Sequence, residues 1–245
     1  MPNSVKAPDP APSVTVVIPT YNERENIRTL LPALLAVDPA YRVIVVDDNS
    51  PDGTGAVAEE VARAHPGRVV VLHRPAKEGI GPAYVAGFRR ALANGTELVA
   101  TMDADHSHDP RDLPRLVQAA STADLVLGSR YVAGGKTCGW PLHRRLISRF
   151  GGLYARLVLG VPVADLTGGF KVYRRDALAG LDLETLHSDG YVFQIETTYR
   201  TLRRGCRVVE VPITFADRVA GKSKLSRRIV AEAMIVVWRL RFERR

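Results

Sequence analysis

The sequence has little cysteine and no apolar run long enough to cross a membrane. Its 245 residues include only Cys138 and Cys206, which are far apart and lack the CxxC spacing of a thiolate metal site. We expect both to be buried, reduced thiols. No stretch reaches the roughly 18–20 apolar residues of a transmembrane helix, and the N terminus lacks the apolar core of a signal peptide. The sequence therefore predicts a cytoplasmic protein or one on the cytosolic face of a membrane.

Aromatic residues are also scarce, at 7%, and the positive charge is concentrated at one end. Residues 218–245 carry a net charge of +7 out of a total of +8, so the rest of the chain is nearly neutral. No zinc-finger, RNP-like or helix-turn-helix signature accompanies this basic segment, and few aromatic side chains are available to stack on bases. We therefore expect no nucleic-acid partner and favour an anionic membrane surface.

The chain between its ends alternates β-branched runs with helical patterns. Residues 1–13 contain four prolines and few apolar side chains, which predicts a disordered arm. The following strands read as continuous apolar runs, as burial on both faces requires, and the alternation predicts a mostly parallel central sheet flanked by helices. The predicted strands are 14–20, 42–47, 68–74, 97–102 and 124–128, and the intervening helices are 25–36, 54–65, 82–94 and 110–120.

Polar clusters follow four of these strands at the point where each ends. Because ligands of parallel α/β sheets bind outside the carboxyl ends of the strands, we expect the four clusters to share one crevice. The clusters are Tyr21-Asn22-Glu23, Asp47-Asp48, Asp103-Ala104-Asp105 and Ser129-Arg130.

Asp103 and Asp105 have the period-two spacing that projects two carboxylates from a strand end toward one side. Mg²⁺ and Mn²⁺ favour oxygen ligands and commonly need only one or two protein carboxylates beside substrate phosphates. This pair therefore predicts a site for Mg²⁺ or Mn²⁺ and a nucleotide diphosphate. Of Asp47 and Asp48, one caps the following turn and the other accepts hydrogen bonds from a ribose or base. The spacing leaves open which of the two aspartates has which role.

Two other motifs carry weaker hypotheses. Gly79-Ile80-Gly81 begins like a dinucleotide fingerprint, but Tyr84 occupies the third glycine position, which argues against an oxidoreductase. His106 and His108 lack further zinc ligands at suitable spacing, so we interpret them as polar loop residues near an anionic site.

The C-terminal segment, 223–245, predicts a basic amphipathic helix. Apolar residues recur there at three- and four-residue steps, whereas the longest apolar run, residues 233–238, is too short to span a bilayer. We expect the helix to lie on a membrane surface, with packing against the protein core as the alternative.

Seven ordered motifs resemble the polyprenyl-phosphate (dolichol-phosphate) mannose synthases, which are family 2 glycosyltransferases with the GT-A fold. The resemblance covers residues 14–225, and it implies a catalytic domain over 14–222. The motifs are IPTYNE (18–23), VDDNSPDGT (46–54), MDAD (102–105), GSRY (128–131), DLTGGF (165–170), GYVFQ (190–194) and DRVAGKSKL (217–225).

The resemblance implies roles for individual residues. Asp105, Arg130, Arg218 and Lys224 match catalytic positions, the three basic residues lying around the phosphates. Asp103 and Asp105 match metal ligands, and Ser107 stands where some relatives have a glutamine as third ligand. The implied nucleotide pocket comprises Pro19, Tyr21, Glu23, Val46, Asp48, Asp103, Ala104, Asp105, Arg130, Arg218 and Lys224.

The implied reaction is an inverting transfer of mannose from GDP-mannose to a polyprenyl (dolichyl) monophosphate. The resemblance leaves open whether a membrane-anchoring protein is a further partner. The alternatives are a polyprenyl-phosphate glucose synthase, another family 2 enzyme that uses a UDP-sugar, and a non-catalytic nucleotide-sugar-binding or membrane-binding subunit. The intact pair Asp103 and Asp105 argues against the last of these.

Overall fold

The computed structural model describes residues 12–186, 188, 190–217 and 227–243, and for 227–233 it describes the backbone alone. Residues 1–11 of the expected N-terminal arm and the expected boundary at 222/223 lie outside these ranges. The strands are β1 (Val14–Thr20), β2 (Arg42–Asp47), β3 (Val69–His73), β4 (Leu98–Thr101), β5 (Leu125–Ser129), β6 (Lys136–Thr137), β7 (Lys171–Arg174), β8 (Val208–Pro212) and β9 (Thr214–Phe215). The helices are α1 (Arg24–Val37), α2 (Thr54–Ala64), α3 (Ile80–Ala93), α4 (Leu113–Ala119), α5 (Leu142–Leu159), α6 (Arg175–Ala179), α7 (Gly190–Arg203) and α8 (Arg227–Phe242).

Seven strands form the central sheet in the order β3-β2-β1-β4-β7-β5-β8. The pairings are parallel except where β7 lies antiparallel between β4 and β5. The mostly parallel sheet is therefore as expected, whereas the sequence pattern does not predict β7. Because β7 runs against its neighbours, the segment before it, residues 165–170, arrives at the edge where β4 and β5 end.

Two apolar cores lie on opposite faces of the sheet, because successive strand residues point to opposite sides. Val16 of β1 packs into the core that includes α1, α2 and α4. Its neighbour Val17 packs into the core that includes α3, α5, α7 and α8. The continuous apolar runs of the strands are thus explained by burial on both faces.

The structure corrects some local expectations. Cys138 is exposed and Cys206 is partly buried, so the expectation of two buried thiols is wrong. Helix α3 begins at Ile80 and not at Pro82, after Gly79 with a φ of 110°. On α8, Val237 and Leu240 are buried against the domain, so part of the predicted stripe packs on the core. None of the described helices is both long and apolar enough to cross a bilayer.

The close packing of α3 on β1 generates a stability prediction at Gly87. A Cβ atom there would lie 2.3 Å from Val17 Cγ1, so Gly87→Ala should lower the free energy of unfolding by about 1–3 kcal/mol. Gly151→Ala on α5 is the matched control, because its Cβ would meet nothing within 4 Å. We expect the control to be neutral or to raise stability by about 0.5–1 kcal/mol. Urea denaturation measures both, and equal effects would contradict the packing argument.

Candidate active site

A cleft that contains several carboxylates lies outside the carboxyl ends of β1, β2 and β4, and we name it the strand-end cleft. Seven of the residues expected at the nucleotide line it, so the predicted convergence of these strand ends is present. These seven are Pro19, Tyr21, Glu23, Asp48, Asp103, Ala104 and Asp105. Val46 does not line the cleft, since its side chain is fully buried beneath α3.

The structure distinguishes the roles of Asp47 and Asp48. The Asp47 carboxylate accepts hydrogen bonds from the backbone N–H of Ser50 at 3.2 Å and the hydroxyl of Ser50 at 2.5 Å, so it caps the turn after β2. Asp48 lines the cleft and accepts a hydrogen bond from Arg74 Nη1 at 2.6 Å. Burial raises the pKa of Asp48, against the opposing effect of Arg74. Asp48 is therefore the carboxylate of this pair available to a ribose or base.

Asp103 and Asp105 follow β4 and face the cleft together. Asp105 Oδ1 accepts a hydrogen bond from the backbone N–H of Ser107 at 3.1 Å, and Asp103 Oδ1 accepts one from the Tyr84 hydroxyl at 3.3 Å. Tyr84 is itself held by stacking on Phe193, with ring centroids 5.6 Å apart. Both carboxylates are thus oriented by the surrounding fold.

The chemistry of this group fits a hard divalent cation. The Ser107 hydroxyl oxygen is buried and has no hydrogen-bond partner among the described residues, so a metal ligand role would satisfy it. The described ranges contain no cluster of three His, Cys, Asp or Glu side chains that would hold a metal alone. Mg²⁺ or Mn²⁺ held by Asp103, Asp105 and Ser107 would complete its shell with waters and substrate phosphates.

The two histidines after the Asp-Ala-Asp segment anchor its loop, and His108 is not the polar loop residue that we expected. His108 is buried, its ring stacks on Phe170 at 5.0 Å, and its Nδ1 accepts a hydrogen bond from the backbone N–H of Asp103 at 3.1 Å. Burial lowers the pKa of His108, which favours the neutral ring that this bond requires. His106 bonds to Thr29 on α1 at 2.8 Å. His108 is therefore a positioning residue for Asp103.

Arg130 follows β5 and forms a buried, bidentate ion pair with Asp165. Its Nε and Nη2 donate to the two carboxylate oxygens at 2.7 and 2.6 Å, and its backbone N–H donates to Asp165 at 2.9 Å. Although burial raises the pKa of Asp165, its contacts with Arg130 hold that pKa below the usual range. No acceptor for Nη1 is found within the described ranges. Asp165 thus fixes the direction in which Arg130 presents its remaining N–H groups.

A second, largely apolar cavity lies between α5, α7 and α8, and we name it the helix-side cavity. Arg130 lies in it with its guanidinium near the rings of Trp140 and Phe215, at 5.6 and 5.1 Å. The cavity and the strand-end cleft share Asp103, Thr167, Gly169 and Tyr191. The two spaces therefore adjoin at Asp103.

Two expected basic residues, Arg218 and Lys224, lie outside the described residues, so their positions stay a prediction. The structure adds residues to the cleft that were not predicted from the sequence. Lys77 lines the cleft with its Nζ 3.9 Å from the centre of the Tyr21 ring, and Gln194 lines it from α7. Gln194 belongs to the motif GYVFQ, so it carried a signal, whereas nothing in the sequence distinguishes Lys77 from an ordinary surface lysine.

Comparison with known proteins gives a family and close relatives. Residues 15–181 match the family Glycosyl transferase family 2. An undecaprenyl-phosphate mannosyltransferase from Micrococcus luteus is 50% identical over 92% of this chain and 93% of its own length. A polyprenol monophosphomannose synthase from Mycolicibacterium smegmatis is 47% identical over 95% of this chain and 89% of its own length.

Solved structures support the GT-A-like fold. Glucosyl-3-phosphoglycerate synthase from Mycobacterium tuberculosis, in complex with Mn²⁺, UDP-glucose and phosphoglyceric acid, has a TM-score of 0.69 at 20% identity, covering 94% of this chain and 79% of that one. A mannosyltransferase from Pyrobaculum calidifontis, in complex with GDP-Man and Mn²⁺, has a TM-score of 0.62 at 23% identity, covering 95% and 65%. At these identities the likeness concerns the fold alone.

The buried pair generates a prediction at Asp165. Asp165→Asn leaves the buried guanidinium of Arg130 without a counter-charge, so the free energy of unfolding should fall by about 3–5 kcal/mol. Asp112→Asn is the control, because Asp112 pairs with the half-exposed Arg115 at the surface, where a pair contributes about 0–1 kcal/mol. Chemical denaturation of the two variants compares them. A loss at Asp165 no larger than that at Asp112 would rule out the strong pair.

A further prediction tests the positioning role of His108. His108→Phe keeps an aromatic ring against Phe170 but removes the acceptor for the Asp103 N–H, so Mn²⁺ affinity in the presence of GDP should fall about tenfold or more. His108→Asn retains an acceptor near the Nδ1 position and should recover part of the affinity. Calorimetric titration measures the binding, and circular dichroism verifies folding. Unchanged Mn²⁺ affinity in a folded Phe variant would exclude the role.

Proposed function

Because this chain belongs to glycosyl transferase family 2, we propose that it transfers mannose from GDP-mannose to a polyprenyl monophosphate and releases GDP. The two relatives at 50% and 47% identity are an undecaprenyl-phosphate mannosyltransferase and a polyprenol monophosphomannose synthase. The observation that carries the proposal is the junction at Asp103, where a strand-end cleft that contains four carboxylates meets a largely apolar cavity that contains Arg130. One space suits a sugar nucleotide, and the other suits a lipid phosphate.

The strand-end cleft is the proposed donor site. Asp48, Asp103 and Asp105 line this cleft. Asp48 is assigned to the nucleoside, and Asp103 and Asp105 are assigned to the metal and the diphosphate. When bound, Mg²⁺ or Mn²⁺ supplies positive charge against the negative charge that grows on the departing diphosphate. Pro19, Tyr21 and Glu23, at the wall of this cleft, are proposed to contact the nucleotide.

The reaction is proposed as a single inverting displacement. An oxygen of the acceptor phosphate attacks C1 of mannose, the bond between C1 and the β-phosphate oxygen breaks, and GDP leaves with that electron pair. A phosphate monoester has a second pKa of about 6, so the nucleophile is already anionic at neutral pH and needs no general base. Arg130, held by Asp165, orients the acceptor phosphate, and Arg218 and Lys224 are proposed to join it around the phosphates.

The acceptor also determines where the enzyme works. A polyprenyl phosphate does not leave a bilayer readily, so we propose that the protein acts peripherally on the cytosolic face of a membrane. Attachment through α8 to anionic lipid, with or without an anchoring protein, brings the site to its substrate.

Transfer is measured by incubating the protein with labelled GDP-mannose, polyprenyl phosphate and Mg²⁺ and extracting the lipid-soluble product. Labelled UDP-glucose in the same assay separates the alternatives, and a preference for it would overturn the mannose assignment. Asp105→Ala should lower turnover about a hundredfold or more at saturating Mg²⁺, and Asp103→Ala should also lower it severely. Glu60→Ala, an exposed carboxylate on α2, is the control. Wild-type turnover in folded Asp105→Ala would refute the site.

A further inference from the structure

Gln194 presents the one amide side chain among the described residues that line the strand-end cleft. It lies in the first half of α7 and is only 5% exposed. The side chains that bond to Gln194 within the described ranges all donate to its main-chain carbonyl, and none of them bonds to its side-chain amide. Because a buried polar group without a partner is costly, this amide points to a ligand.

The amide of Gln194 and the carboxylate of Asp103 border one small space beside Gly169. A Cβ atom added to Gly169 would stand 3.4 Å from Gln194 Nε2 and 3.2 Å from Asp103 Oδ1. Since glycine has no side chain, this space is open to an atom of a ligand. Gly169 is also one of the residues that the strand-end cleft shares with the helix-side cavity. The space therefore lies where the cleft and the cavity adjoin.

Buried hydrogen bonds hold the backbone on both sides of this space. The Thr101 hydroxyl on β4 donates to the carbonyl of Gly169 at 2.6 Å. Lys171 Nζ on β7 donates to the carbonyl of Gln194 at 2.7 Å. Thr101 and Lys171 are themselves buried. The backbone of Gly169 and that of Gln194 are thus fixed before a ligand binds, which lowers the entropic cost of binding.

The position and the chemistry of the amide indicate which part of a donor it meets. In the proposed reaction the diphosphate lies at Asp103 and Asp105 and the acceptor phosphate at Arg130, so the sugar lies between them. Gln194 lines the strand-end cleft and not the helix-side cavity, which places it on the donor side of that junction. An uncharged amide both donates and accepts hydrogen bonds, as a sugar hydroxyl does, whereas a phosphate is matched best by a cation.

We propose that Gln194 forms a hydrogen bond with a hydroxyl group of the transferred sugar and so contributes to the choice of donor. This rests on the proposed function, which identifies that sugar as mannose. A site that hydrogen-bonds a hydroxyl discriminates against a sugar without it, because the polar group of the site is then left unpaired. Gln194 is in this arrangement a specificity-determining residue.

Calorimetric titration of the full chain with GDP and with GDP-mannose, both in the presence of Mn²⁺, tests the contact. Gln194→Leu keeps a side chain of similar size without the amide, so the affinity for GDP-mannose should fall about tenfold while that for GDP stays unchanged. Gln194→Ala should give the same difference between the two ligands. Gln118→Leu, at an exposed position on α4, is the matched control and should bind both ligands as the wild type does. Circular dichroism verifies that the variants fold.

A set of GDP-mannose analogues that each lack one sugar hydroxyl identifies the group that the amide contacts. For the wild type, loss of the contacted hydroxyl should lower the affinity about tenfold. For Gln194→Leu, loss of the same hydroxyl should change nothing, because the two alterations remove the same interaction. Wild-type affinity that is equal for every analogue would overturn the contact without the use of any variant.

The remaining outcomes also separate the possibilities. Equal losses of GDP and GDP-mannose affinity in the folded Gln194 variants would assign the amide to the diphosphate or the metal and overturn the sugar contact. Unchanged affinity for GDP-mannose would overturn it as well. A wild type that binds UDP-glucose and not GDP-mannose would refute the proposed donor. The comparison of UDP with UDP-glucose in the same variants would then test Gln194 independently.

Discussion

The buried ion pair between Arg130 and Asp165 connects two parts of the fold that meet at the site. Arg130 follows β5, and Asp165 belongs to the segment that leads into the antiparallel strand β7. A buried pair of this kind is retained only when its geometry satisfies both partners, and here three hydrogen bonds do so. The pair holds residues 165–170 against β5, which puts Thr167 and Gly169 between the cleft and the cavity.

Most of the sheet could be predicted from the sequence, because its parallel strands are buried on both faces and read as apolar runs. β7 lacks that signal. It begins with Lys171, which is fully buried and donates to the carbonyl of Gln194 at 2.7 Å and to the hydroxyls of Thr197 and Thr198. Burial lowers the pKa of Lys171 well below its usual value. A charged residue whose partners come from α7 cannot be recognised as part of the core from local pattern.

In the candidate site, too, the features that depend on local sequence could be predicted, and those that depend on tertiary contacts could not. The position of the cleft could be predicted from the ends of the strands, because the parallel direction of the strands alone brings Asp48 and Asp103 to one edge of the sheet. The roles of individual side chains depended on contacts across the chain: Ser50 selects Asp47 as the turn cap, and Phe170 buries His108. Apolar side chains of α5, such as Phe150 and Leu157, recur at helical spacing in the sequence. That period fits a core helix equally well, and only their exposure in the folded chain distinguishes the two.

The proposed reaction joins a water-soluble donor to a lipid, and the molecule separates the two by the chemistry of its walls. The proposed donor side contains the carboxylates of Glu23, Asp48, Asp103 and Asp105, which a divalent cation would screen from the diphosphate. Arg130 and aromatic rings line the proposed acceptor side, where a phosphate needs a fixed positive charge and a lipid chain needs apolar contact. A carboxylate at the proposed acceptor end would repel the nucleophile. Arg130 neutralises Asp165, and the proposed divalent cation would screen Asp103, which lines both spaces. The same pair that organises the fold therefore makes the junction compatible with two anionic substrates.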